Sequence, residues 1–299
     1  MLDNFRTVHF EGDTRIHARV GGDGPPLLLL HGFPQNLSMW AHVAPVLARA
    51  YTVVCADLRG YGDSGKPPAS ADLRNYSFRR MAQDQVDLMQ HLGFERFHVV
   101  GHDRGARTTY RMALDHPERL LSMAVLDIVP TDVMYDTVTP QTALAYWHWF
   151  FLPQPAPYPE ELIAANPDFF FEGCMAGIGV TGLAGFDAAQ MDAYRRHWRQ
   201  RETIDAICAD YRAAAHVDAA LDRADAGRKV DCPALVVWGS KGVVGRHFDV
   251  PGVWGERLSD MRCAQLPGGH FFVDQFPRET AGILRDFLGN LPRPARQNP

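Results

Sequence analysis

Short apolar runs alternate along this chain with longer stretches in which apolar positions recur at helical spacing. Residues 5–20 alternate weakly around Gly12 and Asp13, which predicts an opening hairpin. Pro25 to Leu30 predicts the first buried strand, and the tight loop His31-Gly32-Phe33-Pro34 follows it. Met39 to Ala50 has helical spacing. Tyr51 to Ala56 predicts a second strand, ending in the glycine-punctuated loop Asp57 to Gly65. Phe78 to Leu92 predicts an amphipathic helix with Met81, Val86, Leu88, Met89 and Leu92 on its apolar side. Phe97 to Val100 predicts a strand and Ala106 to Asp115 a helix that stops at His116-Pro117. Leu121 to Val129 is a further β-rich run.

The pattern then changes. From Thr131 to Arg228 no buried strand is expected, and aromatic, alanine-rich and proline-broken segments predict several helices. Ala234 to Trp238 and Cys263 to Leu266 restore the strand pattern. Arg278 to Leu288 predicts a last helix before a frayed Pro/Arg tail. Strands alternating with helices imply an α/β core with a mostly parallel sheet and helices on both faces. The expected core is residues 1–130 and 229–299, with 131–228 inserted as a helical cap.

Composition narrows the classes. A chain of 299 residues, 46% hydrophobic and 22% charged, is long enough for one large core with an insertion. A net charge of −5 gives no global attraction for nucleic acid or an acidic membrane surface. Five scattered cysteines without Cys-x-x-Cys spacing suggest a reducing compartment and no zinc site. With no leader-like N-terminus and no apolar run of membrane-spanning length, a cytoplasmic protein is expected.

The chemistry concentrates at Val99-Val100-Gly101-His102-Asp103-Arg104-Gly105-Ala106-Arg107. An apolar strand, a Gly-x-Asp-x-Gly turn and a helix form the context of a nucleophile elbow, with aspartate where serine is more familiar. Together with His31-Gly32-Phe33-Pro34 and Gly269-His270-Phe271, this stretch resembles the α/β-hydrolases over nearly the whole chain. Asp103-Arg104-Gly105-Ala106-Arg107, Leu126-Asp127-Ile128-Val129-Pro130, Tyr146-Trp147-His148-Trp149 and Asp210-Tyr211-Arg212 resemble, more narrowly, the haloacetate dehalogenases.

A carboxylate nucleophile suits substitution at saturated carbon. Serine displacing a halide would leave an ether, whereas Asp103 leaves an ester that water can cleave. His270, in the loop after the last strand, is placed as the base for that water. The backbone N–H groups of Phe33 and Arg104 are expected to form the oxyanion hole. Asp127, near the end of an otherwise apolar strand, is expected to orient His270, because a buried carboxylate there needs such a partner; Asp249 is the alternative. Arg104 and Arg107, three residues apart on the first helical turn, can take a substrate carboxylate by paired hydrogen bonds. Either arginine can instead pair with an acidic residue elsewhere in the chain.

The resemblance implies a halide pocket of His148, Trp149 and Tyr211, with Trp147 left as packing. It also implies a homodimer, by analogy alone. His31 is read as positioning backbone, His102 as packing at the elbow, and the Arg59 to Gly65 loop as structural.

The expected activity is hydrolytic dehalogenation of small 2-haloacids through an aspartyl ester, with no metal or organic cofactor. An epoxide hydrolase would use the same Asp103 and His270, with Tyr146 and Tyr211 donating to the epoxide oxygen. A catalytically silent binding protein on the same fold is the third reading.

Overall fold

A computed structural model describes residues 2–178 and 182–292. Residues 293–299 of the Pro/Arg tail lie outside them. The sheet has eight strands in the order β1-β2-β4-β3-β5-β6-β7-β8: β1 Arg6–Glu11, β2 Arg15–Gly21, β3 Pro26–Leu30, β4 Thr52–Ala56, β5 Phe97–His102, β6 Leu120–Leu126, β7 Ala234–Gly239 and β8 Met261–Leu266. The opening hairpin and the β2–β4 pair are antiparallel, and the remaining pairs are parallel. This is the mostly parallel α/β architecture that the resemblance implies. β3 and β5 are buried along their whole length, as strands covered on both faces by helices must be.

Two local expectations change. Met39 to Ala50 is not one helix: a 3-10 turn spans Leu37–Trp40 and a short helix Ala44–Leu47, with Pro45 within its first two positions. Pro45 carries no N–H to continue a helix begun before it, so it starts a new one. The run Leu121 to Val129 stops as a strand at Leu126, because Asp127 turns into positive φ at 53°. That turn ends the strand while leaving the Asp127 N–H bonded to the neighbouring one.

Between β6 and β7 the described residues form no named strand and carry helices from Thr131–Asp136 to Ala219–Ala224. Among the described residues no helix is long and apolar enough to cross a membrane.

The topology places the chemistry. The chain leaves β3 toward β4 on one side and returns to pair β5 on the other, so a crevice opens where the strand order reverses. The loops after β3 and β5 meet there. Register does the rest: His102 pairs with Leu126 and Leu126 with Val237, so Asp103 and Asp127 leave adjacent strands at one level. The Asp103 N–H donates to the Leu126 carbonyl at 3.2 Å and the Asp127 N–H to the Val237 carbonyl at 2.8 Å.

Candidate active site

Asp103 sits at φ 48°, ψ −114° between β5 and the helix Arg104–Asp115, and its side chain does not cap that helix. A non-glycine residue at positive φ is strained, and the close packing of the elbow holds it there. A Cβ on Gly101 would lie 2.2 Å from the Gly105 carbonyl oxygen, and one on Gly32 2.4 Å from the Asp103 Cβ. Only glycine lets these backbones approach.

Asp103 is 5% exposed. Its Oδ1 accepts from the Phe33 N–H at 2.8 Å. Its Oδ2 lies 3.8 Å from His270 Nε2, beyond a hydrogen bond. The Arg104 N–H is the first amide of its helix, where no intrahelical acceptor exists.

His270 Nδ1 donates to Asp127 Oδ2 at 2.7 Å, and Asp127 Oδ1 accepts from the Gly239 N–H at 2.9 Å. Both aspartates lie on positive-φ backbone and both face His270, one on each ring nitrogen. Asp249 instead is exposed and caps the helix Val250–Gly255 through the Gly252 N–H at 3.2 Å.

Electrostatics separate these groups. Burial raises Asp103, but the charges of His270, Arg104, His102 and Arg107 bring it down to about 2. Burial lowers His270, yet its bond to Asp127 and the charges of Asp127 and Asp103 carry it above the ordinary imidazole range. Burial holds His31 and His102 neutral, each near 4. His31 accepts from the Leu58 N–H at 3.0 Å and donates to the Gly32 carbonyl at 3.0 Å, so it braces backbone. His102 does more than pack: its Nε2 donates to the His270 carbonyl at 2.9 Å and its ring lies 4.7 Å from the His270 ring. The Asp57 to Gly65 loop is braced from within and without, with Asp57 accepting from the Asp63 and Leu37 N–H groups and Arg59 paired to Asp84.

The two arginines are not equivalent. Arg104 pairs with Asp210 through Nε at 2.8 Å and Nη2 at 2.5 Å, and both side chains are fully buried. Tyr61 donates to the same carboxylate at 2.7 Å. Arg104 Nη1 is left buried without a hydrogen-bond partner. Arg107 has neutral partners, the Val129 carbonyl at 2.9 Å and Thr131 Oγ1 at 3.2 Å, and its Nε is unpartnered.

Asp210, the partner of Arg104, is the residue of this cluster that residue-level reading left without a place. Its signal is positional: it lies three residues after Ile207 and seven after Thr203, on a buried face of the helix Arg201–Ala213. A carboxylate on such a face needs a cation.

The three aromatic residues converge on the same place. Arg104 lies 4.1 Å from the Tyr211 ring centroid, and Arg107 4.5 Å from that of Trp149. His148 stacks on Phe33 at 5.4 Å, and Tyr211 meets Phe33 edge-on at 5.2 Å. The Tyr211 hydroxyl and His148 Nδ1 are buried without partners, and burial keeps His148 neutral near 3. Trp147 packs on Phe151 and Phe170 and remains 43% exposed. The Tyr146 ring lies 6.4 Å from that of His270.

A buried ionised carboxylate, an oriented imidazole, two guanidiniums and unpartnered donors suit substitution by Asp103 on a small anion, followed by hydrolysis. Residues 25–277 match the model of the α/β-hydrolase fold family. The chain is 61% identical to a fluoroacetate dehalogenase of Burkholderia sp over 279 residues, covering 93% of this chain and 92% of that protein. A soluble epoxide hydrolase of Corynebacterium sp. (strain C12) is 28% identical over 282 residues, 93% of this chain and 94% of that one. A solved α/β hydrolase from Nostoc sp PCC 7120 superposes with a TM-score of 0.95 at 47% identity, covering 97% of this chain and all of that chain.

Proposed function

The chain belongs to the α/β-hydrolase family and, within it, to the fluoroacetate dehalogenases, and from that premise we propose a hydrolase that converts small 2-haloacids to 2-hydroxy acids and halide. The observation that carries this reading is the elbow itself: an ionised aspartate, rather than serine, with Arg104 and Arg107 buried beside it.

Asp103 Oδ2 attacks the α-carbon, and the carbon–halogen bond breaks with its electron pair on the halide. His148, Trp149 and Tyr211 meet that charge by donating hydrogen bonds from their N–H and O–H groups to the halide. Oδ1, already bonded to the Phe33 N–H, becomes the ester carbonyl oxygen. Water then attacks the Asp103 carboxyl carbon while His270, oriented and charge-stabilised by Asp127, takes its proton. The oxyanion grows on Oδ1, between the Phe33 and Arg104 N–H groups. Collapse breaks the bond between the carboxyl carbon and Oδ2 and expels the hydroxy-acid alkoxide, which takes the proton back from His270. The carboxyl group, now carrying the water oxygen, releases the remaining water proton to solvent and Asp103 is restored as a carboxylate. Nucleophile and base both come from the chain, so the reaction needs no cofactor.

Fluoride or chloride release from haloacetates is the expected result, with no diol formed from a neutral epoxide by the same preparation. Diol formation without halide release would overturn the reading. A neutral epoxide gives Arg107 no charge to meet, which is why the dehalogenase is favoured.

The two half-reactions should also differ in pH dependence. Alkylation needs only ionised Asp103, so its single-turnover rate stays flat down to strongly acidic pH. Ester hydrolysis needs neutral His270, so it rises with pH through the elevated imidazole pKa. Forming the ester removes the Asp103 charge, one of the causes of that elevation. The hydrolytic rise therefore falls at lower pH than the titration of free His270, which NMR would measure alongside the kinetics.

The reading includes a cytoplasmic homodimer. All five cysteines are free, as a reducing compartment requires. Leu144, Leu162 and Phe169 stand exposed on the helical insertion as apolar candidates for a subunit contact.

A further inference from the structure

The loop that carries the oxyanion donor is held from the insertion. Two residues beyond Phe33, Gln35 Nε2 donates to Asp274 Oδ2 at 2.6 Å. The Tyr194 hydroxyl donates to the other oxygen, Oδ1, also at 2.6 Å. Tyr194 lies on the insertion helix Ala188–Trp198, and Asp274 on the short helix Phe272–Gln275, four residues after His270. All three side chains are buried. The same insertion helix holds the next residues: Asn36 Nδ2 donates to the Ala193 carbonyl at 3.1 Å, and Gln190 Nε2 to the Ser38 carbonyl at 2.9 Å.

We propose that Asp274 is a positioning residue which, by bridging Gln35 and Tyr194, makes the placement of the Phe33 N–H depend on the seating of the cap helix. The inference rests on the dehalogenase reading above and deepens it. Asp274 bonds neither Asp103 nor His270, so it acts through the loop.

The two half-reactions use Phe33 differently. During alkylation negative charge leaves Asp103, and a donor on Oδ1 brings little gain. During ester hydrolysis full charge develops on Oδ1, where a preorganised donor matters most. Loosening the loop must therefore slow the second step selectively.

The test is rapid-quench kinetics with chloroacetate, following halide, glycolate and, by intact mass, the carboxymethyl-enzyme. Asp274→Leu and Tyr194→Phe are expected to slow ester hydrolysis about tenfold or more while alkylation changes less than about threefold. The carboxymethyl-enzyme then accumulates at steady state. Asp274→Asn should restore hydrolysis. Gln35 Oε1 is buried without a partner, so a flipped Gln35 amide can accept from the new side chain while Tyr194 still donates to it. Burial lifts Asp274 to about 7, so the neutral side chain is a close relative of the native one.

Equal losses in both steps without accumulation, in Asp274→Leu or in the milder Tyr194→Phe, would reduce Asp274 to a structural residue and overturn the proposal. Failure of Asp274→Asn to rescue would overturn it too. If the unaltered enzyme released no halide and formed no adduct, the dehalogenase reading itself would fall first.

Discussion

Exchanging His270 for asparagine is expected to stop the enzyme after its first half-reaction. Incubated with chloroacetate or fluoroacetate, the variant should release a single equivalent of halide and gain the mass of a carboxymethyl group on Asp103. The geometry makes the two steps separable. His270 Nε2 stands 3.8 Å from Asp103 Oδ2 and does not activate it, and the nucleophile is already ionised. Asparagine can still hydrogen-bond Asp127 but cannot take a proton from water. Losing a general base costs about 10²–10⁴-fold, so hydrolysis falls far below alkylation. Peptide mapping should place the adduct on Asp103. Turnover with no adduct, together with an active Asp103→Asn enzyme, would dismiss the ester route.

The second large effect concerns Arg107. Because Asp210 balances Arg104, the positive charge without a carboxylate partner in the described site is that of Arg107. Removing a buried cation from its anionic partner costs about 2–5 kcal/mol, or roughly 30- to 4,000-fold. Arg107→Met should lose at least the lower end of that range in kcat/KM for chloroacetate and keep most of its thermal stability. Arg104→Met should behave otherwise. It strands Asp210 in a buried position, and breaking such a pair costs about 3–5 kcal/mol of folding free energy. Steady-state kinetics paired with calorimetry separates the two. Equal melting losses for both variants would contradict the unequal partition of charge.

The signals that were legible in the chain are those carried by neighbouring residues. A strand, a glycine-flanked aspartate and a helix lie within one short window, so the elbow could be read directly. Asp127 could be read because a lone carboxylate in an apolar strand demands a partner. Its positive φ could not, since nothing in Val125-Leu126-Asp127-Ile128 announces a left-handed turn; the turn comes from the ladder to Val237 and the bond from Gly239. Met39 to Ala50 misled because its apolar spacing outweighed Pro45. The partnership of Arg104 with Asp210 joins residues 106 positions apart. Both residues were visible, but only the packing of the insertion against the elbow decides which arginine is neutralised. The bracing of the loop after β3 by Tyr194 and Asp274 was hidden for the same reason.

The Arg104–Asp210 pair also bears on how such enzymes diversify. One partner belongs to the elbow helix, the other to the insertion, and neither tolerates the dry interior alone. A chimaera grafting a foreign lid onto this scaffold without a matching acid would inherit a stranded guanidinium. In this chain the two segments are therefore tied to one another, and an exchange of either must carry the matching charge for the other.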